Sequence, residues 1–330
     1  MSVVRRHPLR SYYALAVGIA SLVIVYWQVA AAIYLRRHGA PLDFYGFAGG
    51  VMQGQLGYEY VNLVALLHLM ALYPLVVPAL GFGLAPSLAA VLVTARTRGR
   101  AGLAALLSRL KPWRGGKGPG DVWRAYALIL VAPLLLYPLF LWIEGSFGDP
   151  AWVERSRRIV GLDPIGWLLP ALLIGAVLDE GGLLEELGWR GFATPTLLAR
   201  GRHPLAVALM VGVLWSLWHW PRELPALLAG AVPFAEFLPH QIPRLVSAIA
   251  VSTIMIPFLV WTGGSVVPAI MIHGLTNFLS KAFDGMPRFA LGAEPQDLVE
   301  PGLALLLVAT LGPRLGHPPP GRQSDALAEA

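Results

Sequence analysis

Tyr12 to Tyr34 is one unbroken run without a charged side chain, and no other feature limits the fold as much. A bilayer core holds no water to hydrogen-bond the backbone, so a segment crossing it must satisfy every N–H and C=O internally, which a single run does by becoming a helix. About 20 helical residues cross the hydrocarbon. By that ruler the chain has seven or eight crossing segments. They are Tyr12 to Tyr34, one within Val61 to Val93, Ala125 to Ile143, Ile165 through Arg190, Pro204 to Trp220, Arg244 to Trp261, Val266 to Phe283, and a short eighth, Leu298 to Leu311. Pro74, Pro78 and Pro86 leave the second open between one kinked helix and a span plus a re-entrant piece.

Composition agrees. Of 330 residues, 56% are hydrophobic and 13% charged, with mean hydropathy +0.62, where soluble domains carry about 25% charged residues. The expected fold is all-α, a polytopic membrane helical bundle of about 7–8 transmembrane helices. Residues 1–11 are expected to be a cytoplasmic N-terminus, 12–312 the transmembrane domain with a motif core at about 165–283, and 313–330 a tail disordered by composition. The first run is longer than a signal-peptide core of about 7–15 residues and reads as a retained anchor. The chain shows no internal repeat.

The net charge of +6 comes almost wholly from arginine. These residues sit in loops between apolar runs, so they report orientation, and no nucleic-acid motif accompanies them. The N-terminus, the 96–124 segment with its eight Lys and Arg, and the Arg200/Arg202 turn are basic, while the loop holding Asp284, Glu294, Asp297 and Glu300 is acidic. Arg36 and Arg37 dissent, and the balance favours a cytoplasmic N-terminus. Within the basic segment "AGLAALLSRLKPW" suits an interfacial helix, and Arg96 to Arg114 are expected to meet anionic lipid head groups. With no cysteine, thiolate catalysis, disulfides and cysteine metal sites are excluded.

Three polar groups interrupt the apolar runs: Glu185, Glu186 and Arg190 in "LLEELGWRG", His219 in "LWSLWHWP", and His273 with Asn277 in "AIMIHGLTNF". An ionised side chain in hydrocarbon costs about 2.5–3.5 kcal/mol on insertion scales, so such residues are paired, face water or do chemistry. Residues four apart share a helix face, so Glu186 can pair with Arg190 while Glu185 points about 100° away and stays spare. His273 and Asn277 face one space together, and Trp215, one turn before His219, can brace its ring. Asp179 and Glu180 suit a cavity lip or helix packing.

Depth decides whether the groups can meet. From the turn near Gly201, Glu185 and His219 lie about 24 and 27 Å along their helices, and His273 about 14 Å beyond the "TGG" turn. A hairpin levels the first two, with Pro195 expected to break the first arm. A projecting polar turn brings the third to the same mid-bilayer level. A carboxylate, two imidazoles and a carboxamide supply the parts for amide hydrolysis by water. A Glu185, His219, His273 set could instead hold zinc, although no "HExxH" occurs; spacing leaves both open.

At these residues the chain resembles the CPBP intramembrane proteases, the group of type II CAAX prenyl endopeptidases and bacteriocin-processing or immunity proteins. "EELGWR" fits the EExxxR motif, "HGLTN" fits HxxxN, and "WSLWH" fits FxxxH with Trp215 in the phenylalanine place. The resemblance implies Glu185 as general base with His219 on the water, His273 and Asn277 as oxyanion site, and Glu186 and Arg190 in support. The family is often labelled metalloprotease, while its CAAX-type members favour a glutamate-activated water. Three functions compete: an intramembrane endopeptidase acting on a membrane-associated peptide or protein, a non-proteolytic immunity or scaffold protein of the same fold, and a proton-linked transporter.

Overall fold

The structure is a computed structural model describing residues 3–39, 62–72, 80–115, 119–147, 168–282 and 296–317. Among the described residues there is helix and no strand. After a helical turn at Val3–Arg6, the first long helix, α1 (Pro8–His38), starts on a proline, whose missing N–H needs no partner there. It stops at Gly39, whose φ of 69° returns its N–H to the Leu35 carbonyl. Then follow α2 (Leu63–Leu72), α3 (Leu80–Ser108) and α4 (Pro119–Phe147). The motif region comprises α5 (Leu168–Leu178), α6 (Glu180–Gly188), a π-helical turn (Trp189–Ala193), α7 (Thr194–Leu198), α8 (Pro204–Trp218), α9 (Trp220–Leu228), α10 (Phe234–Trp261) and α11 (Val267–Ala282). The last helix is α12 (Gln296–Leu311).

The chain is an integral membrane protein by its apolar helices. Among the described residues, α1 over Pro8–Arg37, α3 and α10 are each long and apolar enough to cross a membrane, and α8 with α9, bent by 41°, makes a fourth if counted as one span. Of the other expected segments, Ala125 to Ile143 lies within the 29-residue α4, while the fourth is broken and the last two fall on helices of 16 residues, so length and apolarity among the described residues do not establish the count of seven or eight. Enclosure differs among the three: 56% of the apolar window of α10 is buried inside the protein against 11% of that of α1, which places α10 in the bundle and leaves α1 largely facing outward.

Several boundaries depart from the sequence expectation. The fourth segment is broken at Asp179, whose extended backbone ends α5. Its carboxylate caps α6, accepting from the Gly182 N–H at 2.7 Å. Pro195 breaks nothing. Ala193 and Thr194 are helical, and the proline occupies the first turn of α7, where its missing N–H is harmless. α10 begins at Phe234, well before Arg244, with Pro239 and Pro243 inside it. α3 runs on through the start of the basic segment and kinks at Gly99, whose φ of 63° only glycine adopts easily. Of the tail expected to be disordered, residues 313–316 continue a turn that starts at Gly312, and its Leu315 is fully buried with Ala208 and Ile256. Residues 318–330, and the acidic positions Asp284 and Glu294, lie outside the described residues.

Close packing brings the motif helices together. A Cβ on Gly182 would lie 2.6 Å from the Ile270 carbonyl oxygen, and one on Gly274 would lie 2.2 Å from that of Gly175. So α5, α6 and α11 meet backbone to backbone, as membrane helices do across small residues. α1 packs on α3, α3 on α6, and α8 on α10. The loop after α3 is latched to the α10–α11 turn: the Arg109 carbonyl accepts from the Val266 N–H at 2.8 Å, and the buried Arg109 guanidinium donates to the Gly264 carbonyl. Burial, with repulsion from Arg114 and Arg98, pushes the pKa of that guanidinium down to about 10, still cationic at neutral pH.

Candidate active site

The site starts at α6. Glu186 is wholly buried and its Oε1 accepts from two cationic-type donors at once, Arg190 Nη1 at 2.8 Å and His273 Nδ1 at 2.8 Å. Arg190, 1% exposed, spends its second Nη on the Ser252 hydroxyl of α10 at 2.9 Å and lays its guanidinium over the Trp215 ring at 4.5 Å. The pairing of Glu186 with Arg190 is the i,i+4 one that the spacing predicts, although Arg190 sits in the π-helical turn. Thr194 closes that turn by donating its hydroxyl to the Trp189 carbonyl five residues back. An ion pair this enclosed is costly to break, because either partner alone would be a bare buried charge.

Glu185 points elsewhere, to α8. Its Oε2 accepts from the Trp215 indole N–H at 2.8 Å. The same indole stands edge-on to the His273 ring, centroids 4.9 Å apart, so one side chain touches Glu185 and Arg190 from the first motif and His273 from the third. His219 joins through the backbone. Its Nδ1 donates to the Trp215 carbonyl at 2.9 Å. A carbonyl can only accept, so Nδ1 carries the proton and Nε2 of the neutral ring is left as acceptor. The Trp215 carbonyl holds His219, the Trp215 ring lies 6.1 Å from the imidazole as the spacing suggests, and Trp218 stands closer, 4.9 Å between centroids in a T-shaped pair.

α11 supplies His273 and Asn277 on one face. With Nδ1 committed to Glu186, the Nε2 of His273 looks toward Gly181 at the start of α6, and so does Asn277 Nδ2. Asn277 Nδ2 donates to both oxygens of Asp179, at 3.1 and 3.2 Å. Asp179 thus caps α6 and orients the carboxamide together, a larger part than a cavity lip.

Glu185, Glu186, Arg190, Trp215 and His273 are therefore gathered through direct contacts, with Asn277 joined to the start of α6 through Asp179 and His219 attached by the Trp215 carbonyl. Sequence reasoning underrates Asp179 and misses Ser252. Asp179 has a readable signal, an N-cap aspartate three residues before an N–H it can accept, in a segment conspicuous for its charges. Ser252 has none, since only the packing of α10 aims it at Arg190.

The zinc alternative needs Glu185, His219 and His273 on one ion, each imidazole through the Nε2 that its Nδ1 contact leaves uncommitted. Among the described residues no three or more His, Cys, Asp or Glu are grouped so as to hold a metal ion. The three-ligand set of Glu185, His219 and His273 does not assemble.

Residues 163–279 match the family model described as Type II CAAX prenyl endopeptidase Rce1-like. That segment spans all three motifs, and the match supports the resemblance to the CAAX protease and bacteriocin-processing family. No curated protein matches the chain.

Proposed function

We propose that this chain, whose motif segment matches the type II CAAX prenyl endopeptidases, is an intramembrane endopeptidase that hydrolyses a peptide bond of a membrane-associated protein with a carboxylate-activated water. The observation that carries the reading is the single indole of Trp215, which touches Glu185, Arg190 and His273 and whose residue also holds His219. Motifs with unrelated structural duties have no reason to share one side chain.

In this mechanism Glu185 takes one proton from water while the O–H that remains donates a hydrogen bond to His219 Nε2, and the nascent hydroxide attacks the substrate carbonyl carbon. The oxyanion receives hydrogen bonds from His273 Nε2 and Asn277 Nδ2, each donor contributing about 2.7–4 kcal/mol. With Nδ1 also protonated, His273 is then an imidazolium whose charge faces the Glu186 carboxylate on one side and the oxyanion on the other. The C–N bond breaks as Glu185 returns its proton to the leaving amine. Glu186, Arg190 and Trp215 support, fixing His273 and Glu185.

We place the N-terminus in the cytoplasm, from the basic N-terminus, 96–124 segment and Arg200/Arg202 turn. Anionic head groups would meet Arg96, Arg98, Arg100 and Lys111, which are exposed, while buried Arg109 is withdrawn from that role. The test is a proteomic comparison of membrane peptides in cells carrying the wild-type or the Glu185→Gln protein. Peptides ending at a defined cleavage point only with the wild type are expected, and identical peptide sets would overturn the reading. A strong chelator is expected to leave cleavage by the purified protein unchanged; loss that added zinc reverses would contradict the metal-free mechanism.

A further inference from the structure

The segment after α3 is fixed at four points. The Arg109 carbonyl accepts from the Val266 N–H at 2.8 Å, the Arg109 guanidinium donates to the Gly264 carbonyl at 3.3 Å, and the Arg114 N–H donates to the Thr262 carbonyl at 3.3 Å. The Tyr126 hydroxyl of α4 donates to the Pro112 carbonyl at 2.6 Å. Gly263 lets the two backbones close up, because a Cβ there would lie 2.1 Å from the Gly115 carbonyl oxygen. This clamp carries two guanidiniums to one turn and gives neither a counterion. Arg109, 5% exposed, makes its one side-chain hydrogen bond to Gly264, and its other N–H groups are neither bonded nor sealed off among the described residues. Arg114 Nη1 is buried without a hydrogen-bond partner. Among the described residues no carboxylate pairs with either arginine. Repulsion from Arg114 and Arg98 helps to push the Arg109 pKa down to about 10, so the cations stand close enough to feel one another. Enclosed like charges without a partner destabilise a fold, and an anion between them reverses the sign.

We infer that Arg109 and Arg114 form a fixed site for one phosphate group, that of an anionic phospholipid. Guanidinium forks match phosphate oxygens in geometry and charge. The lipid source follows from the neighbours: Leu107, Leu110 and Trp113 are exposed around the pair, as side chains at the membrane interface are, where acyl chains and head-group phosphates lie side by side. The exposed Arg96, Arg98, Arg100 and Lys111 attract head groups collectively, whereas this pair holds a single one. It does so on the turn from which α11, with His273 and Asn277, departs. The inference stands whether or not the chain is an endopeptidase.

The test uses the full-length protein in dodecyl maltoside, in buffer free of phosphate and sulfate. The probes are dioctanoyl phosphatidylglycerol, inorganic phosphate, and dioctanoylglycerol, which has the same chains without the phosphate. Phosphatidylglycerol should raise the melting midpoint saturably, by about 5 °C at a hundredfold excess over its Kd, and one copy per chain should survive in native mass spectrometry. Arg114→Gln removes a guanidinium that makes no side-chain hydrogen bond among the described residues. Without lipid this variant should melt at or above the wild-type midpoint, and it should bind phosphatidylglycerol at least about tenfold more weakly. Arg109→Gln should weaken binding likewise while melting lower, through the lost bond to Gly264. Arg96→Gln, on the exposed face, should keep the single bound copy. Unchanged binding by Arg114→Gln, or equal stabilisation by dioctanoylglycerol, would overturn the site. Inorganic phosphate acting at the affinity of the lipid would overturn the lipid assignment in favour of a free anion. A lipid-free Arg114→Gln protein that melts well below wild type would show that the arginine serves the fold, and would also overturn the inference.

Discussion

The α6–α11 interface and the basic segment at the end of α3 both carry charged side chains, and they dispose of them in opposite ways. At the interface Glu186 has Arg190 and His273 on one oxygen, Arg190 has Glu186, Ser252 and the Trp215 ring, and Asp179 has Asn277 and the Gly182 N–H, while Oε2 of Glu186 and Oε2 of Glu180 are buried without a hydrogen-bond partner among the described residues. Among the described residues of the basic segment Arg96, Arg98 and Arg100 are exposed, while Arg109 is drawn inside to the Gly264 carbonyl and Arg114 is partly buried. The difference follows from what each charge would otherwise meet. In the bundle the alternative is hydrocarbon or an unpaired buried ion, which costs several kcal/mol. At the edge of the bundle it is water or head groups, which cost nothing. Specific geometry is thus forced in the first region and optional in the second, and only the first can hold reacting groups still.

Substitutions can break this contrast. The largest effect is expected for His273→Ala, which removes one partner of Glu186 and, in the proposed mechanism, an oxyanion donor; peptide cleavage should fall by about 10²–10³-fold, measured in liposomes. Next, Arg190→Leu strands Glu186 as an unpaired buried carboxylate and should cost about 3–5 kcal/mol, read as a lowered melting midpoint in detergent. Trp215→Phe keeps the ring against His273 but loses the N–H donated to Glu185, a bond to a charged group worth about 1.5–3 kcal/mol. It should melt lower than wild type and retain measurable cleavage, the more so because the family motif carries phenylalanine at that position.

In the second region the effects shrink. Arg109→Ala should cost about 1–1.5 kcal/mol through the lost latch to the α10–α11 turn, seen as a modest drop in melting midpoint. Arg98→Gln and Arg100→Gln should shift stability by no more than about 0.5 kcal/mol. Their effect should fall on association with vesicles containing acidic lipid, by about 1 kcal/mol for each charge removed. A large stability loss from either would mean that these arginines have protein partners after all, and would erase the contrast.

The same contrast explains what can be read from the chain. The i,i+4 pairs Glu186/Arg190 and His273/Asn277 are legible because helical periodicity alone puts their members on one face. Helix existence is legible for the same reason that hydrocarbon is unforgiving, as with Tyr12 to Tyr34 inside α1. Interruptions are not. Pro195, Pro239 and Pro243 look like breaks but sit inside helices, while the actual break falls at Asp179, which ends one helix by capping the next. The π-helical turn at Trp189–Ala193 has no compositional mark. Residues whose place depends on tertiary packing, such as Ser252, Gly181 and Arg109, escape assignment altogether: Ser252 lies 62 positions from Arg190, and Arg109 lies 155 from Gly264. Trp215 shows the limit most clearly: its spacing points to His219, while its indole reaches Glu185, far upstream on another helix.

The whole account depends on Glu185 being a base and not a structural carboxylate. The direct measurement is cleavage of a defined membrane peptide by purified wild-type and Glu185→Gln proteins in liposomes, with melting curves recorded for both. The variant should fold and melt like the wild type and cleave at least about 10³-fold more slowly. A folded Glu185→Gln protein that cleaves within about tenfold of the wild-type rate would contradict it.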